Sequence, residues 1–319
     1  MSRSRKKGTA WLTAKTAIAT AMRTHLGDDA AIEVGWVQKI GDGLFRDVYA
    51  AVVDADTDDG QMELNAAALL PRWDAPRETD EGARKEAVFL RQLSDLEIPF
   101  RVPGWAQVVE ESRRTILVRE CLPGIPLKAF IGRRSEVAPW EVIGRLAAEV
   151  HATSAETLNA LLPVHTTRRA HAEACLDEVD ESAGDPVADH AVAWIRAHLP
   201  PDDPSKLIHG DLLGQNILLD FENPPALIDW EYSRLGDPAY DLAIVTRGGK
   251  RPFKNRDGLT RLLDAYNEVA EHQLRKEDVQ LYEVYLHLLW YMESCSGEGR
   301  DPPGTSRQRL QALLRRIEE

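Results

Sequence analysis

Eight residues, His209-Gly210-Asp211-Leu212-Leu213-Gly214-Gln215-Asn216, and a second carboxylate thirteen positions further on, Asp229 in Ile228-Asp229-Trp230-Glu231, carry the clearest chemistry in this chain. A carboxylate in a glycine-containing loop can orient a hydroxyl and accept its proton. An amide oxygen and a carboxylate are hard ligands suited to Mg²⁺, which keeps several waters and takes only one or two protein groups beside substrate phosphates. Asp211 is therefore the candidate base, and Asn216 and Asp229 are the candidate metal ligands. Together they have the make-up of a phosphoryl-transfer site, where positioning and charge neutralisation supply most of the catalysis.

The neighbouring residues say how such groups would be positioned. Ile217-Leu218-Leu219 and Ala226-Leu227-Ile228 flank the turn-forming run Asp220-Phe221-Glu222-Asn223-Pro224-Pro225, which predicts a short antiparallel hairpin. With Leu219 opposite Ala226, Asn216 falls opposite Asp229. Upstream, Thr115 to Glu120 reads as a strand running into Cys121-Leu122-Pro123-Gly124, and Trp140, Ile143, Ala147 and Val150 form a helical stripe. Nearer the start, Ile40 to Ala50 reads as a strand, a glycine turn and a strand with the pattern G-x-G-x-x-R. Gly41 and Gly43 could there lay backbone N–H groups over phosphates. No GxxxxGK[ST] run occurs, which argues against a P-loop. Asp54 to Gly60 is read as an acidic hairpin turn, because its glycine and final ligand are misplaced for a calcium loop.

The loop and the Asp229 segment resemble the H-G-D-x-x-x-x-N and I-D-W motifs of the aminoglycoside phosphotransferase and choline kinase-like family, relatives of the protein kinases. Gly236-Asp237-Pro238-Ala239-Tyr240-Asp241-Leu242 resembles that family's G-D-P-x-x-D-L segment, whose acidic residues brace the catalytic loop. The resemblance implies an α+β, bilobal protein-kinase-like fold. Its small mixed N-lobe with an antiparallel sheet would bind nucleotide over residues 1–118, and residues 119–319 would form the hinge and a larger, mainly helical lobe for catalysis and substrate. It further implies transfer of the γ-phosphoryl group of ATP or GTP, with Mg²⁺, to a hydroxyl of a small molecule, an aminoglycoside-type antibiotic being the first expectation. Asp211 would be the base, His209 and His151 structural, and the backbone around Glu120 and Leu122 would meet the adenine edge. H-G-D in place of H-R-D disfavours protein side chains as acceptors.

One departure stands out. Kinase-like folds place a Lys on the third strand, paired with a helix Glu, to hold the inner phosphates. Here Met62 to Leu70 contains no basic residue, although Glu86 resembles the partner Glu. Arg72, just beyond the strand, is the nearest substitute, since its fork could grip phosphate bidentately. The gap also motivates a second reading, a nucleotide- or ligand-binding regulatory protein with little catalysis.

The whole composition sets outer bounds. A formal charge of −13, from 39 basic and 52 acidic residues, disfavours nucleic acid as partner and suits a cationic acceptor. No apolar run approaches the ~20 residues that span a bilayer, so no membrane partner is expected. Three cysteines without a C-x-x-C pair suggest reduced thiols in a cytoplasmic protein. The N-terminus, Ser2 to Lys7, is basic, and Trp11, Ile18, Met22 and Leu26 suit a first helix packed on the N-lobe better than a targeting segment. Helices are predicted over 257–272, 276–294 and 306–317. The middle one carries Tyr282, Glu283, Tyr285, His287, Trp290, Tyr291 and Glu293, a set suited to stacking on and hydrogen bonding an amine-bearing acceptor.

Overall fold

The computed structural model describes residues 3–131, 137–154, 158, 162–179, 184–247 and 257–319; Ser2 and the side chains of the basic run after it lie outside the described residues. Two compact units form. One comprises Met1–Glu97, Arg101–Gly124 and Asp220–Glu231, the other Ile98–Phe100, Ile125–Leu219 and Tyr232–Glu319.

The first unit opens with α1 (Arg3–Leu26), followed by β1 (Ala31–Val34), β2 (Gln38–Asp42), β3 (Arg46–Thr57), β4 (Gly60–Pro71), α2 (Glu78–Ser94), β5 (Ala106–Glu111) and β6 (Arg114–Glu120). The strands build one antiparallel sheet in the order β1-β3-β4-β6-β5, with β2 also paired to β3. Strands β3 and β4 run together from Arg46 opposite Pro71 to Thr57 opposite Gly60, so the acidic stretch closes as a tight hairpin turn. Strand alternation separates the two faces of β4. Ala66, Ala68 and Leu70 join Tyr49, Ala51, Val53, Ile116 and Val118 in a core covered by Ala14, Ile18 and Met22 of α1. Each large aliphatic side chain buried there contributes about 1.5–3 kcal/mol. Ala67 and Leu69 therefore face the opposite side. Helix α2 is fastened to β6 through Asp80, which accepts the Thr115 N–H at 2.9 Å and Arg114 Nε at 3.0 Å. Burial would raise this carboxyl, but those two partners outweigh it and hold it below its ordinary range.

The second unit is mainly helical. It holds β7 (Ile125–Pro126), α3 (Pro139–Ala152), α4 (Arg168–Val179), α5 (Pro186–Ala197), β8 (Lys206–Ile208) and β9 (Ile217–Asp220), the last reaching its boundary. After β10 (Asn223–Leu227), which belongs to the first unit, come β11 (Arg234–Gly236), α6 (Ala239–Thr246), α7 (Gly258–Val269), α8 (Lys276–Ser296) and α9 (Pro303–Glu318). Short antiparallel pairings join β7 to β9 and β8 to β11. Among the described residues no helix is long and apolar enough to cross a membrane.

Two sequence expectations need correction. The turn after β9 is shorter than Asp220 to Pro225, because Asn223, Pro224 and Pro225 already lie in β10. Proline cannot donate to a strand ladder but its carbonyl can accept. Arg101 uses both carbonyls, its N–H bonding Pro225 O at 2.9 Å and its Nε bonding Pro224 O at 3.0 Å. Helix α8 offers less of an acceptor face than its sequence suggests, because only Trp290 and Glu293 of the seven residues are half-buried and not buried. Tyr282, Glu283, Tyr285, His287 and Tyr291 are buried. Their polar tips serve the fold: Tyr282 bonds Asp237 at 3.3 Å, Tyr285 bonds Glu178, and Tyr291 bonds Asp185 at 3.1 Å. An aromatic helix with carboxylates reads alike in sequence whether it stacks on ligand or on its neighbours.

Candidate active site

The Asp211 loop is shaped from beneath by Asp241. This buried carboxylate, near the start of α6, accepts the backbone N–H of His209 at 2.8 Å and of Gly210 at 2.7 Å, and His151 Nε2 lies 3.1 Å away. Burial alone would raise its pKa, but His151 and the loop N–H groups lower it on balance. His151 is held in turn by the Tyr266 hydroxyl at 3.0 Å. Gly210 has φ +81°, and a Cβ there would collide with the carbonyl of Tyr232, so only glycine fits the position. His209 is fully buried and accepts the Asp211 N–H on Nδ1 at 3.2 Å, which makes it a loop former. Asp237 departs from expectation. It braces α4 and α8 through Arg168 at 2.9 Å and Tyr282, while the loop N–H groups of His209 and Gly210 go to Asp241.

Asp211 is gripped from two sides. Asn216 Nδ2 donates to its carbonyl at 2.8 Å and to its Oδ2 at 2.9 Å. Both amide hydrogens are spent there, so the amide oxygen of Asn216 is the atom left for a cation. On the other side Arg247 Nη2 reaches Oδ1 at 3.2 Å while its Nε bonds Ile244 O at 2.8 Å. Arg247 caps α6 in the left-handed region, φ 40° and ψ 41°, a conformation costing a non-glycine residue about 1 kcal/mol or more. Burial lowers its pKa, countered in part by the charge of Asp211. The sequence reading missed Arg247. Only its place five residues beyond the G-D-P-x-x-D-L segment could have drawn attention to it.

The first unit holds the remaining candidates. Asp229 sits at φ +73°, a left-handed geometry that aspartate tolerates better than most residues. Its charge acts on Glu86, which is fully buried; that burial first, and Asp229 second, push the Glu86 carboxyl upward. Glu86 is met by Arg46, the first residue of β3, with Nη1 3.5 Å from Oε2. The other end of the Arg46 fork bonds Thr79 O at 2.7 Å and Glu231 at 3.1 Å. Lys85 Nζ donates to Glu231 O at 3.0 Å. Gly82 on α2 allows this approach, since a Cβ there would lie 2.9 Å from Glu231 Oε2. Arg72, the substitute expected from sequence, does not meet Glu86. It is exposed, with Nη1 3.4 Å from the carbonyl of Gly43. The reason is register: Arg46 and Pro71 are paired, so Arg72 has already left the sheet.

Gly41 and Gly43 occupy the end of β2 and the turn into β3, where Gly43 N bonds Arg46 O at 2.8 Å. At the end of β6, Glu120 donates its N–H to Trp105 O at 3.2 Å and its carboxylate accepts Gly104 N at 2.7 Å. The Cys121 N–H goes to Asn65 O at 2.8 Å, and Leu122 follows half-buried. Among the described residues no group of three or more His, Cys, Asp or Glu gathers to hold a metal. A cation on Asn216 or Asp229 would need phosphate and water to complete its shell, which is the habit of Mg²⁺.

Known proteins resemble this chain in sequence and fold. The model of the phosphotransferase enzyme family (APH) matches residues 38–277. Viomycin phosphotransferase of Streptomyces vinaceus is 30% identical over 179 residues, which cover 49% of this chain and 59% of that protein. The chain thus matches little more than half the length of that relative. Among solved structures, the GDP and kanamycin complex of APH(2″)-IIia superposes with a TM-score of 0.64 at 15% identity, covering 93% of this chain and 98% of the other. The apoenzyme of macrolide 2′-phosphotransferase MphH from Brachybacterium faecium gives 0.59 at 21% identity, covering 92% and 95%. At such identities the superpositions establish the α+β, protein-kinase-like fold.

Proposed function

Because this chain belongs to the phosphotransferase enzyme family, we propose that it transfers the γ-phosphoryl group of ATP or GTP to a hydroxyl of a small cationic molecule of the aminoglycoside antibiotic type. The observation that carries this reading is the Asp211 carboxylate, fixed by Asn216 and Arg247 yet still 19% exposed. A carboxylate accepts at both oxygens, and the exposed part of Asp211 is where the acceptor hydroxyl would be met beside Arg247. Asp211 aligns that hydroxyl and takes its proton as the oxygen attacks phosphorus. The Arg247 guanidinium, already in place, offsets negative charge developing beside it. Mg²⁺ held by Asn216 and Asp229 would supply the rest of that neutralisation. The glycine turn at Gly41 and Gly43 covers the phosphates. With the N–H groups of Glu120 and Cys121 already bonded, the Glu120 carbonyl and the Leu122 backbone are the groups of that stretch that would meet the base edge.

Viomycin phosphotransferase and the kanamycin complex support an antibiotic acceptor, and the acidic charge of the chain favours a cationic one. The test is a screen of kanamycin, viomycin, a macrolide and choline with Mg²⁺ and either ATP or GTP, read by mass spectrometry. Gain of one phosphoryl group on one of these is expected. Nucleotide binding with no phosphorylated acceptor in this and a wider amine panel would sink the proposal and favour the regulatory reading.

A further inference from the structure

Helix α2 and the segment around Asp229 share a buried cation that bonds both, and it stands on an unexpected strand. Strand β4 contains no basic residue, and near its end it turns Ala67 and Leu69 to the side away from the α1 core, so no cation can come from it. Arg46, on the adjacent strand β3, is 6% exposed and sits between Glu86 of α2 and Glu231, two residues after Asp229. One guanidinium thus ties the start of β3, two points of α2 and the Asp229 segment together within the first unit. Its Nε is buried without a hydrogen-bond partner among the described residues, as is Oε1 of Glu86. A buried charged donor left unbonded is among the costlier omissions in a fold, and such atoms call for an explanation. Arg46 also directly follows the Gly41–Gly43 turn, whose Gly43 N–H bonds its carbonyl.

We propose that Arg46 is the phosphate-holding cation of this chain: relocated from β4 to β3, it braces Glu86 and offers its unpartnered Nε–H to the inner phosphates of the nucleoside triphosphate. The inference rests on the phosphotransferase reading above. Its function is to position: it fixes α2 and the Asp229 segment before nucleotide arrives, and its remaining donor discriminates nucleotides that carry phosphates from those that do not. Arg72 is turned to the Gly43 carbonyl and makes no described contact with Glu86. Arg119, whose charge also reaches Glu86 and whose Nε is likewise buried without a described partner, stands on β6 with Nη1 on the carbonyl of Glu120 and does not adjoin the glycine turn in sequence as Arg46 does.

Calorimetric titration of the full-length protein with Mg²⁺·ATP, Mg²⁺·GTP and the matching nucleoside tests this directly. Arg46→Met should weaken the better triphosphate roughly 10- to 100-fold, the range of a lost charge-assisted bond, and leave nucleoside binding within about twofold. Arg46→Met combined with Leu69→Lys, which returns the charge to β4 opposite Val48 and diagonal to position 46, should recover about half of that loss on a logarithmic scale. Equal triphosphate binding by folded Arg46→Met and wild type overturns the inference while leaving the phosphotransferase reading intact. Parallel loss of nucleoside and triphosphate would also overturn it, by making Arg46 a mere strut. Should Arg46→Met fail to fold, Arg46→Lys carries the test. It retains the charge without the Nε–H and is expected to weaken triphosphate about tenfold, unchanged affinity again being fatal. A wild type that binds neither triphosphate would overturn the phosphotransferase reading itself.

Discussion

The loop around Asp211 and the cluster around Glu86 hold their carboxylates by opposite means. Asp211 remains partly open, and its partners are a neighbour five residues away and an arginine on the next helix. Glu86 is fully buried on a helix, and its arginine lies forty residues back on another strand. The loop therefore depends on local backbone geometry, whereas the cluster depends on how strands and a helix come together. Local geometry restricts residue type tightly; a buried charge needs only that some neighbour supply its counter-ion.

The largest effect expected from breaking either side belongs to Asp211. Asp211→Asn should lower kcat by about 10²–10⁴, the contribution of a positioned general base, with an unchanged thermal midpoint. Turnover within tenfold of wild type would show that the loop does not supply the base. Gly210→Ala attacks the backbone beneath it. The strained φ and the collision with Tyr232 should cost roughly 2–3 kcal/mol in urea unfolding and most of the activity. A fully stable, active variant would mean that the loop relaxes freely and that geometry does not dictate H-G-D.

Arg247 sharpens the comparison at smaller scale. Arg247→Gln should reduce kcat about 10- to 100-fold through loss of a charged hydrogen bond to Asp211, with little change in stability. Arg247→Gly relieves the left-handed backbone and should lose the same factor. If Gly kept activity that Gln lost, the backbone and not the guanidinium would matter. The smallest expected effect lies away from both carboxylates, at Asp185. It caps α5 by accepting Val187 N at 2.8 Å and Ala188 N at 3.2 Å, and it bonds Arg307 at 2.9 Å. Desolvation, the largest single influence, would raise this carboxyl, but the hydrogen bonds together outweigh it and pull it from 3.8 down to about 2. A depressed carboxyl stabilises the fold above its unfolded value and loses that contribution as pH falls through the folded one. Asp185→Ala should thus cost about 1 kcal/mol near neutrality, leave turnover alone, and converge with wild type between about pH 4 and pH 2. A pH-independent difference would assign the effect to packing.

Sequence and structure agree most closely where spacing is local. Strand β4, helices α3 and α8, and the loop from His209 to Asn216 lie where turn residues and periodicity predict them, give or take a few residues, and β3 runs seven residues beyond its expected end at Ala50. The Asp241 brace was legible because the G-D-P-x-x-D-L segment carries it. Arg46 was not legible as a partner of Glu86, since nothing local reveals that a residue opening β3 will face α2. Arg72 looked nearer in sequence but had already left the sheet. The aromatic residues of α8 misled for a related reason: a tyrosine whose hydroxyl meets a buried carboxylate has the same composition as one awaiting a ligand. Pro224 and Pro225 misled because proline signals a turn, although here their carbonyls serve as acceptors for Arg101.

The membership of Asp220–Glu231 in the first unit bears on how the chain acquires its fold during synthesis. When residue 124 has left the ribosome, the sheet and α2 are all present, yet Arg46 still lacks Glu231 and Arg101 lacks its proline carbonyls. Roughly a hundred more residues, at about 5–20 per second, must be made before those partners emerge. For that interval, of the order of ten seconds, a cation meant for burial sits beside Glu86 with half its counter-charge missing. The nascent unit is then most exposed to misfolding, and slow translation between residues 124 and 231 would prolong that state.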